Sequence, residues 1–482
     1  MRHGETGRLH WIFCAVLCVS LSLLTSAWAE AVPASPSPTP TASPAQSASP
    51  APLPSSSSVP RKSCSPEYEL GGQVTIIRQN LYPFHSQYQA GNSLPAQGDA
   101  RTSDKVTLFT GLRFAPRVDG YVDVEMARGG GVNQALGLGT FTNGDVTHTP
   151  SLTGPYLARA FVRWTMPTGG SRATVSMPAA ENQIAGVQPA HRLVITAGKL
   201  ALTDLFDVNS YANSTKTQFL NWALINNPAY DFAADTQGYS TGLALEWAHP
   251  DWAVRAGSYF LPSMANANNL SWDLAGNRSD NLEIEIRPDL LGRRHGRGVV
   301  RLLLYRNLAQ QPVYGRALDL AGVSGQAPRL VDAVQRVVQG GICLNLEQPL
   351  GDQRETGLFA RLGWKDGQSA SVSYMDCDRA FSLGAQISGR NWGRPHDRIG
   401  TGIAINGLSG IHSAYLAAGG MSSCVGDGRL TYGTEQIWET YYSFQATRAL
   451  ALALDFQQVR NPGYNRDRGP ASVFSVRMHL EY

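Results

Sequence analysis

The segment from Ala471 to Tyr482 limits the possible fold more than any other part of the chain. Phe474, Val476, Met478, Leu480 and Tyr482 alternate with Ser475, Arg477, His479 and Glu481. Side chains point to opposite faces along a strand, so this segment has one apolar face and one charged face. A dry core does not accept Arg, His and Glu unpaired. A water-filled interior does, provided the apolar face meets lipid and the terminal aromatic sits at the interface.

The same period of two recurs along the chain. Val106, Leu108, Leu112 and Phe114 alternate with Thr107, Phe109, Gly111 and Arg113. Leu282, Ile284 and Ile286 alternate with Glu283, Glu285 and Arg287, and Leu358, Ala360, Leu362 and Trp364 with Phe359, Arg361 and Gly363. Strands are predicted near 70–78, 106–114, 121–127, 158–166, 192–199, 239–247, 253–260, 281–287, 299–306, 338–346, 356–363, 379–388, 400–406, 437–446, 449–459 and 472–482. An even number puts both chain ends on one side, and the connections then sort by length. Asp119-Gly120, His249-Pro250-Asp251 and Thr447-Arg448 mark tight turns on the side of the termini. Long connections, such as 79–105, 200–238 and 307–337, fall on the other side. One long connection, 167–191, lies on the short side. The expected fold is all-β: a transmembrane antiparallel β-barrel of about 16 strands, with short periplasmic turns and long extracellular loops. A barrel of this size leaves an aqueous channel.

Composition agrees. Charged residues make up 16% of the 482 residues, against about 25% in soluble proteins. The formal net charge of +3 gives no reason to expect a nucleic-acid partner. Arg2 and Arg8 precede an apolar run from Trp11 to Leu24, and Ala27-Trp28-Ala29 supplies a small-x-small cleavage pattern. Residues 1–29 therefore read as a secretory signal, with an uncleaved anchor as the alternative. Residues 30–66 are Pro/Ala/Ser-rich and are expected to form a disordered periplasmic leader. The barrel domain is expected over 67–482. Of the six cysteines, Cys14 and Cys18 leave with the signal, and Cys64, Cys343, Cys377 and Cys424 remain. None has metal-ligand spacing, and no metal site is expected. Cys377 and Cys424, in loops on one side, form the candidate disulfide; the alternative leaves all four free or paired otherwise.

The phasing of the strands turns a set of charges inward: Arg113, Asp123, Glu125, Arg159, Arg163, Glu283, Glu285, Arg301, Arg361 and Glu439. These are the candidate pore-lining residues. Mixed signs suit a neutral polyol better than an anion, which would select a predominantly basic wall. The plainer reading is solvation of a wet wall. The connection 200–238 is the candidate constriction. Phe219, Trp222 and Asn226 share a helical face, with Asn221 beside them and Pro228 as a stop. A short helix packed inward would narrow the lumen, whereas one lying over the rim would not. Asp204, Asp207 and Asn209 lack the spacing of a Ca²⁺ loop and read as turn and capping residues. The motifs of nucleophile-elbow hydrolases, zinc proteases, P-loops and dinucleotide-binding folds are absent from the sequence.

Three segments carry a family resemblance. The first is Gly198-Lys199, Asp204, Phe206-Asp207, Asn209, Gln218-Phe219-Leu220-Asn221-Trp222 and Gly238. The second is Asn345-Leu346-Glu347-Gln348, Gly357-Leu358-Phe359-Ala360-Arg361 and Gly363-Trp364. The third is Glu435, Glu439-Thr440-Tyr441-Tyr442, Asp455-Phe456-Gln457, Asn461-Pro462-Gly463 and Asn465. Together they resemble the OprB-type carbohydrate-selective porins of the Gram-negative outer membrane, from about Tyr68 to Tyr482. The long Pro/Ala/Ser leader departs from that pattern. The resemblance implies passive diffusion of small sugars into the periplasm, with no enzymatic activity, cofactor or energy coupling. The expected partners are small neutral carbohydrates, outer-membrane lipid and, in a homo-oligomer, further copies of the chain. The rival readings are a pore for small organic acids, an export channel for an acidic polysaccharide, an outer-membrane hydrolase and a secreted all-β lectin.

Overall fold

The computed structural model describes residues 67–147, 154–170, 172–292, 294–351, 354–373 and 375–482. The expected signal segment 1–29, the leader 30–66 and Cys64 lie outside the described residues.

In chain order the strands are β1 (Tyr68–Leu81), β2 (Asp99–Ala115), β3 (Val118–Gly129), β4 (Tyr156–Pro167), β5 (Thr174–Met177), β6 (Gly186–Pro189), β7 (Arg192–Leu200), β8 (Ser240–Ala248) and β9 (Trp252–Phe260). They continue as β10 (Arg278–Ile286), β11 (Val299–Pro312), β12 (Val334–Pro349), β13 (Gly357–Lys365), β14 (Arg379–Ser388), β15 (Arg398–Gly407), β16 (Glu435–Gln445), β17 (Leu450–Arg460) and β18 (Ala471–Glu481). All but β5 and β6 form one closed sixteen-strand barrel, and those two pair as a separate hairpin. Every neighbouring pair in the barrel is antiparallel. Closure comes from β18 against β1, with Glu481 opposite Gln73 and Val473 opposite Leu81. Closure leaves no strand edge with unpaired backbone in lipid.

The alternation sets which side faces out. Leu108, Leu112 and Phe114 on β2 are exposed, as are Leu282, Ile284 and Ile286 on β10, while Thr107, Glu283 and Glu285 between them are buried. The exposed apolar surface of the strands is the lipid face. No described helix is long and apolar enough to cross a membrane, so the crossing elements are strands. Both ends of the barrel chain, Tyr68 and Glu481, lie at the mouth with the short turns, which is the periplasmic mouth in such barrels.

Four strands run further than the sequence pattern shows. β1, β2, β11 and β12 have 14, 17, 14 and 16 residues. The connections expected at 79–105 and 307–337 accordingly shorten to 82–98 and 313–333. Pairing continues past the apolar belt because each strand carries backbone groups that still need partners there. Leu81 is opposite Asp99, and Pro312 is opposite Val334. Two helices not visible as patterns, Tyr314–Ser324 and Gly410–Ala417, pack together in the extracellular loops.

The expected Cys377–Cys424 bridge is not formed. Cys343, Cys377 and Cys424 are buried and outside any disulfide. The Cys377 thiol instead donates to the Arg379 carbonyl at 3.2 Å.

Candidate functional site

Residues 201–239, between β7 and β8, fold into the lumen and are mostly buried, with Asp204, Ser210 and Thr217 exposed. A 3-10 turn, Leu202–Asp204, and a single α-helical turn, Trp222–Ile225, form there, the latter capped by the Asn221 side chain, which accepts from Ala223 N. Phe219 precedes the cap and so does not share a helical face with Trp222. Its ring instead packs edge-on against Phe359 and Tyr441, at 5.4 and 5.0 Å. A loop with so little internal pairing brings many orphaned amides and carbonyls inside, and each needs a partner.

The barrel wall supplies those partners as charges. Asp207 N donates to Glu283 at 2.8 Å and Ser210 N to Glu347 at 2.6 Å. Leu220 N and Asn221 N both donate to Glu439, at 2.5 and 2.9 Å. Arg361 pairs with Asp207 at 3.0 Å and donates to the carbonyls of Leu224 and Ala212 at 2.7 and 2.8 Å. Arg477 donates to the carbonyls of Thr215 and Gln218 at 2.6 and 2.7 Å. Asn209 bridges to Asn345 at 2.7 Å. Wall glycines let the loop sit this close: a Cβ at Gly363 would lie 2.1 Å from Asn227 Oδ1, and one at Gly357 would lie 2.1 Å from the Tyr211 ring.

This arrangement corrects the expectation that the inward charges face open water. Glu283, Arg361 and Glu439 point inward but are spent on the inserted loop. Glu285 and Arg301 form a wall network with Arg255 and Glu347, at 2.9 to 3.1 Å. Arg113 closes on Asp119 at 2.7 Å beside the β2–β3 turn. Arg163 donates to Asn182 O at 2.9 Å and lies over Tyr121. Asp207 and Asn221 are anchors within the loop rather than groups presented to a solute.

The open passage lies elsewhere, between the inserted loop and β1–β4. It holds a cavity of about 450 Å³ lined by Lys105, Glu125 and Arg159 from the wall, Asp145 from the β3–β4 loop, and Asp204, Lys216 and Trp222 from the inserted loop. Glu181 also lines it. Of the candidates read from the sequence, the structure brings Glu125, Arg159, Asp204 and Trp222 together here, with Asp123 directly behind. Arg159 reaches Asp204 at 2.7 Å, Asp123 at 3.1 Å and Glu181 at 3.2 Å. Lys105 sits 3.6 Å from Glu125 and 3.9 Å from Asp145, and Lys216 is 2.7 Å from Glu181. Tyr156 and Tyr239 donate to Glu125 at 3.0 and 2.6 Å. Trp222 packs edge-on to Phe141 and stacks on Phe232, and its indole N–H is buried with no acceptor among the described residues.

Lys105, Asp145, Glu181 and Lys216 escaped the sequence reading. Lys105 was legible in principle, because the alternation of β2 runs on upstream through Ser103 and Lys105. The other three sit in connections, where no periodicity marks orientation.

A passage through a lipid-facing barrel, narrowed by an inserted loop, is the geometry of a porin. The sequence matches the carbohydrate-selective porin, OprB family, over residues 122–482. The chain belongs to that family. It is an outer-membrane β-barrel protein of the Gram-negative type. The high-pH structure of Pseudomonas putida OprB is 16% identical, with a TM-score of 0.64, covering 86% of this chain and 94% of that one. The anion-selective porin from Comamonas acidovorans is 10% identical, with a TM-score of 0.47, covering 86% of this chain and 99% of that one. No curated protein matches the chain in sequence.

Proposed function

We propose that this OprB-family porin passes small neutral carbohydrates by diffusion, and that their hydroxyls are read at the passage around Glu125, Arg159 and Trp222. The observation that carries this reading is the set of closely paired charges around the passage, with Trp222 beside them. Lys105, Arg159 and Lys216 face Glu125, Asp145, Glu181 and Asp204 at close range. Such pairs present fixed donors and acceptors with little net field. A sugar exchanges its water for these groups at several weak sites and leaves again, as conduction requires. Trp222 adds apolar ring surface at the passage. Ions gain less, since each meets a repelling charge beside every attracting one.

The excess of carboxylates over cations counts against a pore for organic acids or an acidic polysaccharide. The test is solute-driven swelling of proteoliposomes together with sugar block of single-channel current. Neutral monosaccharides should enter and block. Strong chloride selectivity with no sugar block would favour the organic-acid pore.

A further inference from the structure

The connection 167–191 is by far the longest at the periplasmic mouth, and the structure shows where it goes. β5 and β6 form a hairpin that folds back from the periplasmic mouth into the lumen. Its tip, residues 180–184, reaches the level of the passage. Asn182 Nδ2 donates to Asp123 at 2.7 Å, Arg163 holds the Asn182 carbonyl at 2.9 Å, and Ile184 is buried beside Tyr121, whose hydroxyl accepts from Ile184 N at 3.4 Å. At the tip, Glu181 meets Lys216 at 2.7 Å and Arg159 at 3.2 Å. Lys216 belongs to the loop inserted from the opposite mouth. Two connections entering from opposite ends of the barrel thus meet through one ion pair inside the passage.

We propose that Glu181 is a specificity-determining residue of the channel: delivered by the periplasmic hairpin, it neutralises Lys216 and Arg159 and keeps the passage from selecting anions. The proposal rests on the sugar-channel reading above. Arg159 keeps Asp123 and Asp204 if Glu181 is removed. Lys216 does not: Glu181 is its sole ion-pair partner among the described residues. The hairpin is held by Asn182 and Ile184 independently of the Glu181 charge, so Glu181→Gln changes the field without undocking the tip. The result is an ammonium group without an ion pair on the wall of a narrow passage, where it acts on every passing ion.

The experiment compares purified wild type, Glu181→Gln, Lys216→Met and the double variant in planar bilayers across a KCl gradient, with glucose-driven liposome swelling of the wild type in parallel. Glu181→Gln should raise the chloride-to-potassium permeability ratio about tenfold, because the Boltzmann factor of one unit charge about 6 Å from an ion in water, about threefold, acts in opposite directions on the two ions. Lys216→Met should shift the ratio the other way, and the double variant should return to the wild-type value. Swelling by glucose with an unchanged ratio in both single variants overturns the role of Glu181 and leaves the sugar channel standing. A shifted ratio without glucose-driven swelling upholds that role and overturns the sugar-channel reading.

Discussion

Arg361 of β13 and Asp207 of the inserted loop form an ion pair at 3.0 Å in which each side chain is 1% exposed. The pair is fully satisfied: Arg361 also donates to the carbonyls of Leu224 and Ala212, and Asp207 accepts from Asn345 at 2.7 Å and Asn227 N at 2.8 Å. A buried pair adds little net stability over an apolar replacement, but losing one partner strands the other.

Arg361→Ala should therefore destabilise the barrel by about 3–5 kcal/mol, because the Asp207 carboxylate and the loop carbonyls lose their donor. Urea unfolding in lipid vesicles measures this. The released loop should also raise single-channel conductance. Unaltered conductance with lowered stability would mean that Glu439, Glu347 and Arg477 hold the loop without Arg361.

Trp222 separates two contributions to sugar passage. Trp222→Phe keeps a ring and removes an N–H that is buried away from the passage, so sugar block of the current and conductance should both stay close to wild type. Trp222→Ala removes the ring and should both widen the passage and weaken the block. A much weaker block in Trp222→Phe would show that the indole N–H turns into the passage in solution.

The strands were legible because their message is local. Leu282, Ile284 and Ile286 face lipid while Glu283 and Glu285 face in, and five adjacent residues suffice to show it. The inward and outward faces of β18 were legible in the same way, whereas its pairing with β1 across 404 residues was not. The roles of the inward charges were not legible, because their partners are remote: Arg361 and Asp207 are 154 residues apart, and Glu439 and Leu220 are 219 apart. Alternation tells which way Glu439 points but not that a loop waits there. Glu181 and Lys216 stand in irregular connections, and only the odd length of 167–191 hinted that this connection has work beyond turning the chain.

The thiols give a check on the packing of the extracellular loops. Burial pushes the Cys377 thiol up to about 12 and raises the Cys424 thiol as well. The thiolate is the reactive form, so neither residue should react with iodoacetamide at pH 8 until the barrel is unfolded. Reductant should leave the gel mobility of the folded protein unchanged. Labelling of Cys424 alone in the folded state would mean that the loop 408–434 opens in solution.

Glu181 makes the ion selectivity depend on pH in a defined window. Burial raises its carboxyl, but Lys216 and Arg159 outweigh burial and bring it from the ordinary 4.5 down to about 2. The acids around it are Glu69, Asp123, Asp204 and Glu481, and His479 lines the same cavity. Because the pKa is lowered in the folded protein, the negative charge and the contact with Lys216 persist at every pH above 4.5 and are lost as pH falls through about 2. The neighbouring acids titrate too, so the informative quantity is the difference in permeability ratio between wild type and Glu181→Gln, in which those contributions cancel. That difference should hold constant from pH 7 to about 4.5 and close toward pH 2. Closure already complete at pH 4 would mean that Glu181 titrates as a carboxyl in open water, with Lys216 too far away to hold its charge.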